Sequence, residues 1–582
     1  MSSSFQEANA PVLRASSGEN VAGQRARRQP RSATGRISDT RLPDSRSPRR
    51  WVVSGNTLML RFDSTWRGVT HHGLPGSASG QHAPVSRERS WPTDRPGDGP
   101  VRCMLTSMTC RAFLALALAA CGSGPAAHPA PAVQAAPPVV PVTEPVVAAT
   151  DRVPFSSEER VAELAFLRDA IRDTYAHLEV KKQQWGVDLD ALFARYEPRI
   201  RAAETWTRYE AAMVGFVSEL HDAHVAWRRK RGASEAKRRI VRLGLDTKLA
   251  KGELIVSNVW KGSSAEAAGL AVGDRIVAID DEPVDRRMAV LATVRSASRV
   301  EAAAYDFAEG WPVSRAAIDA PLRARQITRE RAGAVVTVGV LPETTGRPGG
   351  EPPAIELEHD GPIAVLRVRS LEGPVKKLVE TVGPLMEAIF AAPHGLVIDL
   401  RGNDGGFEDN ARALAARLVA GDVTGGTTRV RLSQRAREAH RAWQALVEDP
   451  DRKGWSVAQP LTAHGVAAGR YPANIAVVID AGCRSSCETL ALLLREAGGR
   501  LIGERTGGAS GAPITVVLPS SKATVTIPAR AMYDPHGAPI EGFGVAPDDE
   551  IFDDRAAIAA GHDPAFDAAV AWACQRQASP CP

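Results

Sequence analysis

The chain has 582 residues, 44% of them apolar, with 72 basic and 67 acidic side chains and a formal charge of +5. That length exceeds a single domain several-fold, and the apolar share excludes wholesale disorder. The positive surplus is confined to the start: beyond residue 121 there are 55 basic and 59 acidic residues, a net charge of about −4 that excludes nucleic acid as an implied partner.

Residues 1–103 contain 16 Arg, no Lys and 8 acids, with scattered Ser, Gly and Pro and no sustained apolar period. Such a composition cannot bury enough surface to fold, so this segment reads as a disordered leader or as sequence upstream of the true start. Residues 104–121 follow a different pattern. Arg111 precedes an apolar run from Ala112 to Ala120 that is too short to span a bilayer and has the form of a secretory signal. The run ends in Leu118-Ala119-Ala120-Cys121, which resembles the lipobox of bacterial lipoproteins. Cys121 is therefore the expected lipidation site, the plainer reading being a chance apolar helix that ends in Cys. Gly122 and Ser123 follow without an Asp, which favours the outer membrane, and the Pro/Ala-rich stretch 122–153 reads as an extended tether.

Three folded segments are expected after the tether. Over 154–232 apolar residues recur at helical spacing (Val161, Leu164, Leu167, Ile171, then Leu189, Leu192, Phe193), predicting a helical cap. Residues 236–345 read as short strands around Gly-rich turns. Within them Ala265 to Ile279 resembles the "A-x-x-A-G-L-x-x-G-D-x-I-x-x-I" stretch of PDZ domains, which bind extended peptides by strand addition and hold a terminal carboxylate on backbone amides. The plainer reading is a PDZ fold used only for packing. Over 354–582 strands alternate with helices: a strand at Ile363 to Arg367, a helix near Val375 to Ala391, strands at Leu396 to Leu400 and Ile475 to Ile479, then a helix opening at Ser485. That order predicts an α/β layer with a largely buried sheet.

Ser485 is the candidate nucleophile. It stands where a buried strand turns into a helix, a place where backbone N–H groups of the helix start can hold a developing oxyanion. Asp399-Leu400-Arg401-Gly402-Asn403-Asp404-Gly405-Gly406 resembles the "D-L-R-x-N-x-G-G" turn of the carboxyl-terminal processing (tail-specific) proteases. Ser485-Ser486-Cys487-Glu488 resembles their "S-A-x-E", and Glu541 to Asp548 their "E-G-x-G-V-x-P-D". The order helical cap, PDZ and core is that of the family, and the motifs are most similar to its branch with the tricorn core protease and the interphotoreceptor retinoid-binding protein. The resemblance covers residues 155–560. It implies a multidomain fold with a ClpP/crotonase-like α/β catalytic core, and serine-type peptidase activity without metal or organic cofactor.

The resemblance also implies roles. In the tail-specific branch a lysine lies 25 residues after the nucleophile, but that position here is Ser510, and Lys522 stands in a different, strand-like context. In the tricorn-like branch the base is a cap histidine, which here falls on His224 of Glu219-Leu220-His221-Asp222-Ala223-His224. His221 and His536 are weaker candidates. Glu541 takes the place of the acid that orients the base; Ala223 stands where some relatives have Ser, so the relay runs through water or another residue. The oxyanion amides fall on Gly405 and Ser486, with Gly406 adjacent. Since His224 and Glu541 lie in different segments, the site is complete only when cap meets core.

Four cysteines remain beyond Cys121: Cys483, Cys487, Cys574 and Cys581. Two local disulfides are possible in an oxidising compartment; zinc lacks His partners at matching spacing. The expected substrate is a peptide or protein of the bacterial cell envelope, selected through its C-terminus if the PDZ domain binds it. The expected location is an outer-membrane lipoprotein or the periplasm. The alternative is a catalytically inactive PDZ/peptide-binding envelope lipoprotein.

Overall fold

The computed structural model describes residues 151–229, 238–294, 296–317, 321–344, 346–391, 394–465 and 471–575. The leader, the signal-like segment with Cys121, the tether and Cys581 lie outside them. Among the described residues no helix is long and apolar enough to cross a membrane.

The cap comprises α1 (Ser157–Thr174), α2 (Leu178–Trp185), α3 (Leu189–Arg201) and α4 (Trp206–Ser218), followed by the short strand β1 (Ala226–Arg228). A reciprocal cap fixes where α1 begins: the Glu159 N–H donates to Ser156 Oγ, and the Ser156 N–H donates to the Glu159 carboxylate at 2.7 Å. The helical stripe Leu164, Leu167 and Ile171 is fully buried.

The second unit contains β2 (Arg238–Arg242), β3 (Leu245–Ala250), β4 (Glu253–Val259), α5 (Ser264–Ala267), β5 (Arg275–Ile279), β6 (Glu282–Pro283), α6 (Val284–Val294), α7 (Val300–Gly310), β7 (Val313–Ala317), β8 (Arg325–Arg331) and β9 (Ala334–Val340). Its main sheet runs β3-β4-β5-β8-β9, with β6 on β5, while β2 pairs with β7. Leu254, Val256, Ile276, Ile279 and Ile327 form its core.

The third unit carries β10 (Ile355–Asp360), β11 (Ile363–Val368), α8 (Val375–Ala391), β12 (Leu396–Asp399), α9 (Glu408–Ala415), β13 (Asp422–Val430), α10 (Gln434–Ala439), β14 (Glu448–Asp449), β15 (Arg452–Ser456), β16 (Gln459–His464), β17 (Ile475–Ile479), α11 (Ser486–Glu496), β18 (Arg500–Gly503), β19 (Pro513–Val517), β20 (Thr524–Pro528), β21 (Arg530–Tyr533), β22 (Asp549–Glu550), α12 (Arg555–Ala560) and α13 (Pro564–Cys574). Its central sheet is ordered β10-β11-β12-β17-β18-β22, parallel except at β10. Helices α8, α9 and α11 cover one face; α13 covers the other through Ala565, Ala569 and Ala573. With both faces covered, β12 and β17 are buried at every residue, which explains their unbroken apolar runs.

The cap does not sit on this unit as a separate body. β1 pairs antiparallel with β20, and the apolar core of α1, α3 and α4 continues into Ile514, Val516, Val525 and Ile527. The buried Glu163 of α1 accepts the N–H groups of Ser520 and Ser521 at 2.6 and 2.8 Å and the Tyr209 hydroxyl at 2.7 Å.

Candidate active site

Ser485 stands at the carboxyl end of β17 and immediately before α11, with φ 56° and ψ −123°. A positive φ is costly for a residue with a Cβ, and two contacts hold it there. The Ser485 N–H donates to the Ala509 carbonyl at 2.8 Å and to Glu488 Oε2 at 3.1 Å. Glu488 is fully buried and also accepts the Thr506 hydroxyl at 2.6 Å and the Gly508 N–H at 2.8 Å. Burial pushes its carboxyl up to about 7. Cys483 and Cys487 bracket the turn and are joined by a disulfide, their Cα atoms 5.4 Å apart. Cys574 is also disulfide-bonded.

The Gly-rich turn after β12 packs directly on this serine. A side chain at Gly405 would lie 2.8 Å from Ser485 Cβ and 3.1 Å from the Ser486 nitrogen, and one at Gly406 would overlap the Leu371 carbonyl. Both positions have positive φ, 100° and 143°. Only glycine lets the two loops touch. The amides divide differently from the sequence expectation. The Gly405 N–H donates to Asn403 Oδ1 at 2.9 Å, and Asn403, fully buried, donates in turn to the Val368 carbonyl. Gly405 is thus a poor oxyanion donor in this arrangement. The Gly406 and Ser486 N–H groups have no protein acceptor among the described residues.

His224 arrives from the loop between α4 and β1. The Thr526 hydroxyl donates to its carbonyl at 2.6 Å and its N–H donates to Asp222 Oδ1 at 2.8 Å, so the β1–β20 pairing places it. Its buried Nδ1 has no hydrogen-bond partner among the described residues. Burial holds the imidazole below its ordinary range, opposed by Glu541 and aided by Arg484 and Arg530. It is therefore neutral near pH 7, as a base must be. No hydrogen bond joins the Ser485 hydroxyl to the His224 ring.

Glu541 is fully buried, but its direct partners are Lys181 Nζ at 2.6 Å and the Ser510 N–H at 2.8 Å rather than His224. Burial would raise its carboxyl; Lys181 and then His177 outweigh that and hold it below the usual range. Asp222, hydrogen-bonded by the Tyr175 hydroxyl at 2.8 Å, is raised to about 6 by burial and then by Glu541. His177, with Nε2 3.1 Å from the Ser510 carbonyl oxygen, is lowered by burial. The ligand atoms of His177, Asp222 and Glu541 lie within 4.8 Å of one another, but the Lys181 ammonium already supplies the positive charge a metal would bring.

The weaker candidates separate. His221 stacks on Trp185 with ring centroids 4.1 Å apart, and its imidazole is lowered by burial and Lys181. His536 is exposed on a turn. Lys522 is exposed in the β19–β20 turn and donates to the Pro519 carbonyl. Sequence reasoning missed Lys181, Asp222, His177 and Asn403. The one available signal was the four-residue spacing of His177 and Lys181, which puts both on one helical face.

Residues 362–551 match the family model of peptidase family S41, and residues 255–298 match that of a PDZ domain. The chain carries an S41 serine peptidase domain. The S41 match spans the central sheet from β11 to β22 together with Gly405, Gly406, Ser485 and Glu541. His224 lies outside it, on the cap. Among solved structures, mature CPAF aligns with a TM-score of 0.57 at 17% identity, over 73% of this chain and 99% of that one. Mature CPAF complexed with lactacystin aligns at 0.56 and 16%, over 72% and 98%. The photosystem II D1 C-terminal processing protease aligns at 0.40 and 18%, over 68% and 93%. The CPAF alignments show a shared fold across cap, PDZ and S41 domains. No curated protein sequence matches the chain.

Proposed function

We propose that this S41 peptidase cleaves peptides or proteins of the bacterial cell envelope with Ser485 as nucleophile and His224 as base. The observation that carries the reading is the backward-turned Ser485 at the start of α11, with the Gly405-Gly406 turn pressed on its Cβ. Ser485 Oγ attacks the scissile carbonyl as its proton passes to His224. The Ser486 and Gly406 amides hold the oxyanion, and the leaving amine takes the proton from His224. Water then attacks the acyl-enzyme, giving its proton to His224, which passes it to Ser485 Oγ as the acyl C–O bond breaks and the acid product leaves. Glu541 acts on His224 through its field, its charge held ionised by Lys181, and is a positioning residue. Anchoring through Cys121 and an outer-membrane or periplasmic location belong to the same proposal, as does selection of substrate through its C-terminus whenever the PDZ groove is open to a peptide. They are supported by the lipobox-like segment and by the PDZ domain.

The test is labelling of the full chain by a fluorophosphonate, followed by cleavage of a peptide library. Labelling at Ser485 that is lost in Ser485→Ala, with unchanged circular dichroism, is the expected result. Equal labelling of the variant, or no labelling of the parent, overturns the reading. Expression with and without Cys121→Ser, followed by lipid labelling, tests the anchor; unchanged labelling refutes it.

A further inference from the structure

A PDZ domain binds a peptide end between a strand and the following helix, with loop amides ahead of the strand holding the carboxylate. In this chain the strand is β3, the helix is α6, and the loop is Leu243-Gly244. That place is taken. Helix α7 packs against both β3 and α6. Its Phe307 and Ala308 are buried among Leu243, Leu245, Leu254 and Val256. The Thr247 hydroxyl of β3 donates to the Ala308 carbonyl at 2.5 Å and accepts the Trp311 indole N–H at 2.9 Å. Just beyond α7, the Pro312 carbonyl accepts the Leu243 N–H at 3.0 Å, where the oxygen of a ligand carboxylate would sit.

The opposite face of α7 touches the catalytic turns. Arg484, the residue before Ser485, donates to Asp306 Oδ1 at 2.8 Å and to the Ala302 carbonyl at 3.1 Å. Both members of the ion pair are largely buried. The Tyr305 ring lies so close to Gly482 that a side chain there would overlap it, and its hydroxyl is 3.0 Å from where a Gly402 side chain would begin.

We propose that α7 is a resident internal ligand of the PDZ groove and that, through Asp306 and Arg484, it ties the filled groove to the nucleophile turn. The groove then reads no free C-terminus while α7 is seated, and a peptide that enters must displace α7 and release Arg484. The second half rests on Ser485 being the nucleophile; the first does not.

The binding arm uses the full chain carrying Ser485→Ala, so that no peptide is cut. The probes are fluorescent dodecapeptides randomised at their last four positions, ending either in a free carboxylate or in an amide. No carboxylate-dependent anisotropy change is expected from this protein. A gain is expected when Phe307→Ala is added to loosen α7, or when Asp306→Asn is added to loosen its grip on the core. Carboxylate-dependent binding before either change overturns the proposal, and so does the absence of any gain from both. In the chain with Ser485 intact, Asp306→Asn lowers kcat with KM unchanged, and Asp306→Glu restores part of it. An unchanged kcat removes the link to the nucleophile turn. A parent that takes up no fluorophosphonate sinks the peptidase reading alone and leaves the binding result standing.

Discussion

The cap and the PDZ domain both reach the catalytic turns, yet they are joined to the S41 domain by different means. The cap shares a sheet with it through β1 and β20, shares an apolar core, and buries Lys181 against Glu541. The PDZ domain meets it through ion pairs, Arg484 with Asp306, Arg555 with Glu330, Lys248 with Asp553 and Lys251 with Asp554, through Arg299 on the Arg505 and Thr506 carbonyls, and through one small apolar cluster of Ala250 and Ile255 with Ile558. Shared sheet and core cannot separate without losing backbone pairing and apolar burial, whereas an exposed pair of the PDZ contact such as Lys251 with Asp554 parts at low cost. The cap thus meets the core through a shared sheet and a shared apolar interior.

The largest effect that tests this contrast is at His224, the proposed base. His224→Ala should lower kcat by about 10⁴-fold or more, the range seen when one member of a serine–histidine unit is removed. Residual activity near that of the parent would show that the cap supplies no base. Next is the buried pair. Lys181→Met leaves Glu541 charged and unpaired and should cost about 3–5 kcal/mol of stability by denaturant unfolding. A loss below about 1 kcal/mol would mean that the cap is not fastened there.

Smaller is Glu163→Leu, which strips two amides and the Tyr209 hydroxyl of their acceptor and should cost about 1–3 kcal/mol. On the PDZ side Lys251→Ala, which removes an exposed ion pair, should leave the melting temperature unchanged; a clear drop would contradict the contrast. The same flat result is expected for activity in Lys522→Ala. The pH profile sharpens the cap's part. His224 must be neutral to accept a proton, and burial lowers its pKa. Activity should therefore persist as pH falls through the ordinary histidine value of 6.5 and be lost only below it. An acid limb centred above 6.5 would contradict that environment.

The central sheet was readable in the sequence because strands buried on both faces are continuous apolar runs. The helix expected over Val375 to Ala391 and the strand over Ile475 to Ile479 stand at those residues. Ser485 and the two Gly-rich turns were readable because tight loop contact restricts residue type. The fusion of the cap was not. β1 is three residues long, and its partner β20 is a Thr- and Val-rich strand about 300 residues away, so neither run signals the other. Lys181 was hidden because a lysine in a polar helix reads as a solvated charge, and only the facing Glu541 shows otherwise. The exchange of Gly405 for Gly406 as free amide depends on where the Asn403 side chain turns, which spacing does not fix. Helix α7 reads as one more amphipathic segment, and nothing in Val300 to Gly310 marks it as filling a groove.

The β1–β20 pairing also bears on how the molecule is made. Contacts between distant stretches form late, since a long loop must close before they return any free energy. During synthesis the loop that carries His224 emerges early, but the strand that seats it emerges some 300 residues later. A ribosome-bound chain ending before Thr524 holds Ser485 and its turn but has no seat for His224. A potentially destructive activity is thus kept incomplete by chain connectivity until nearly the whole S41 domain has been produced. A chain truncated before Thr524 and offered a fluorophosphonate should label far more slowly than the full chain, and equal rates would refute this order of assembly.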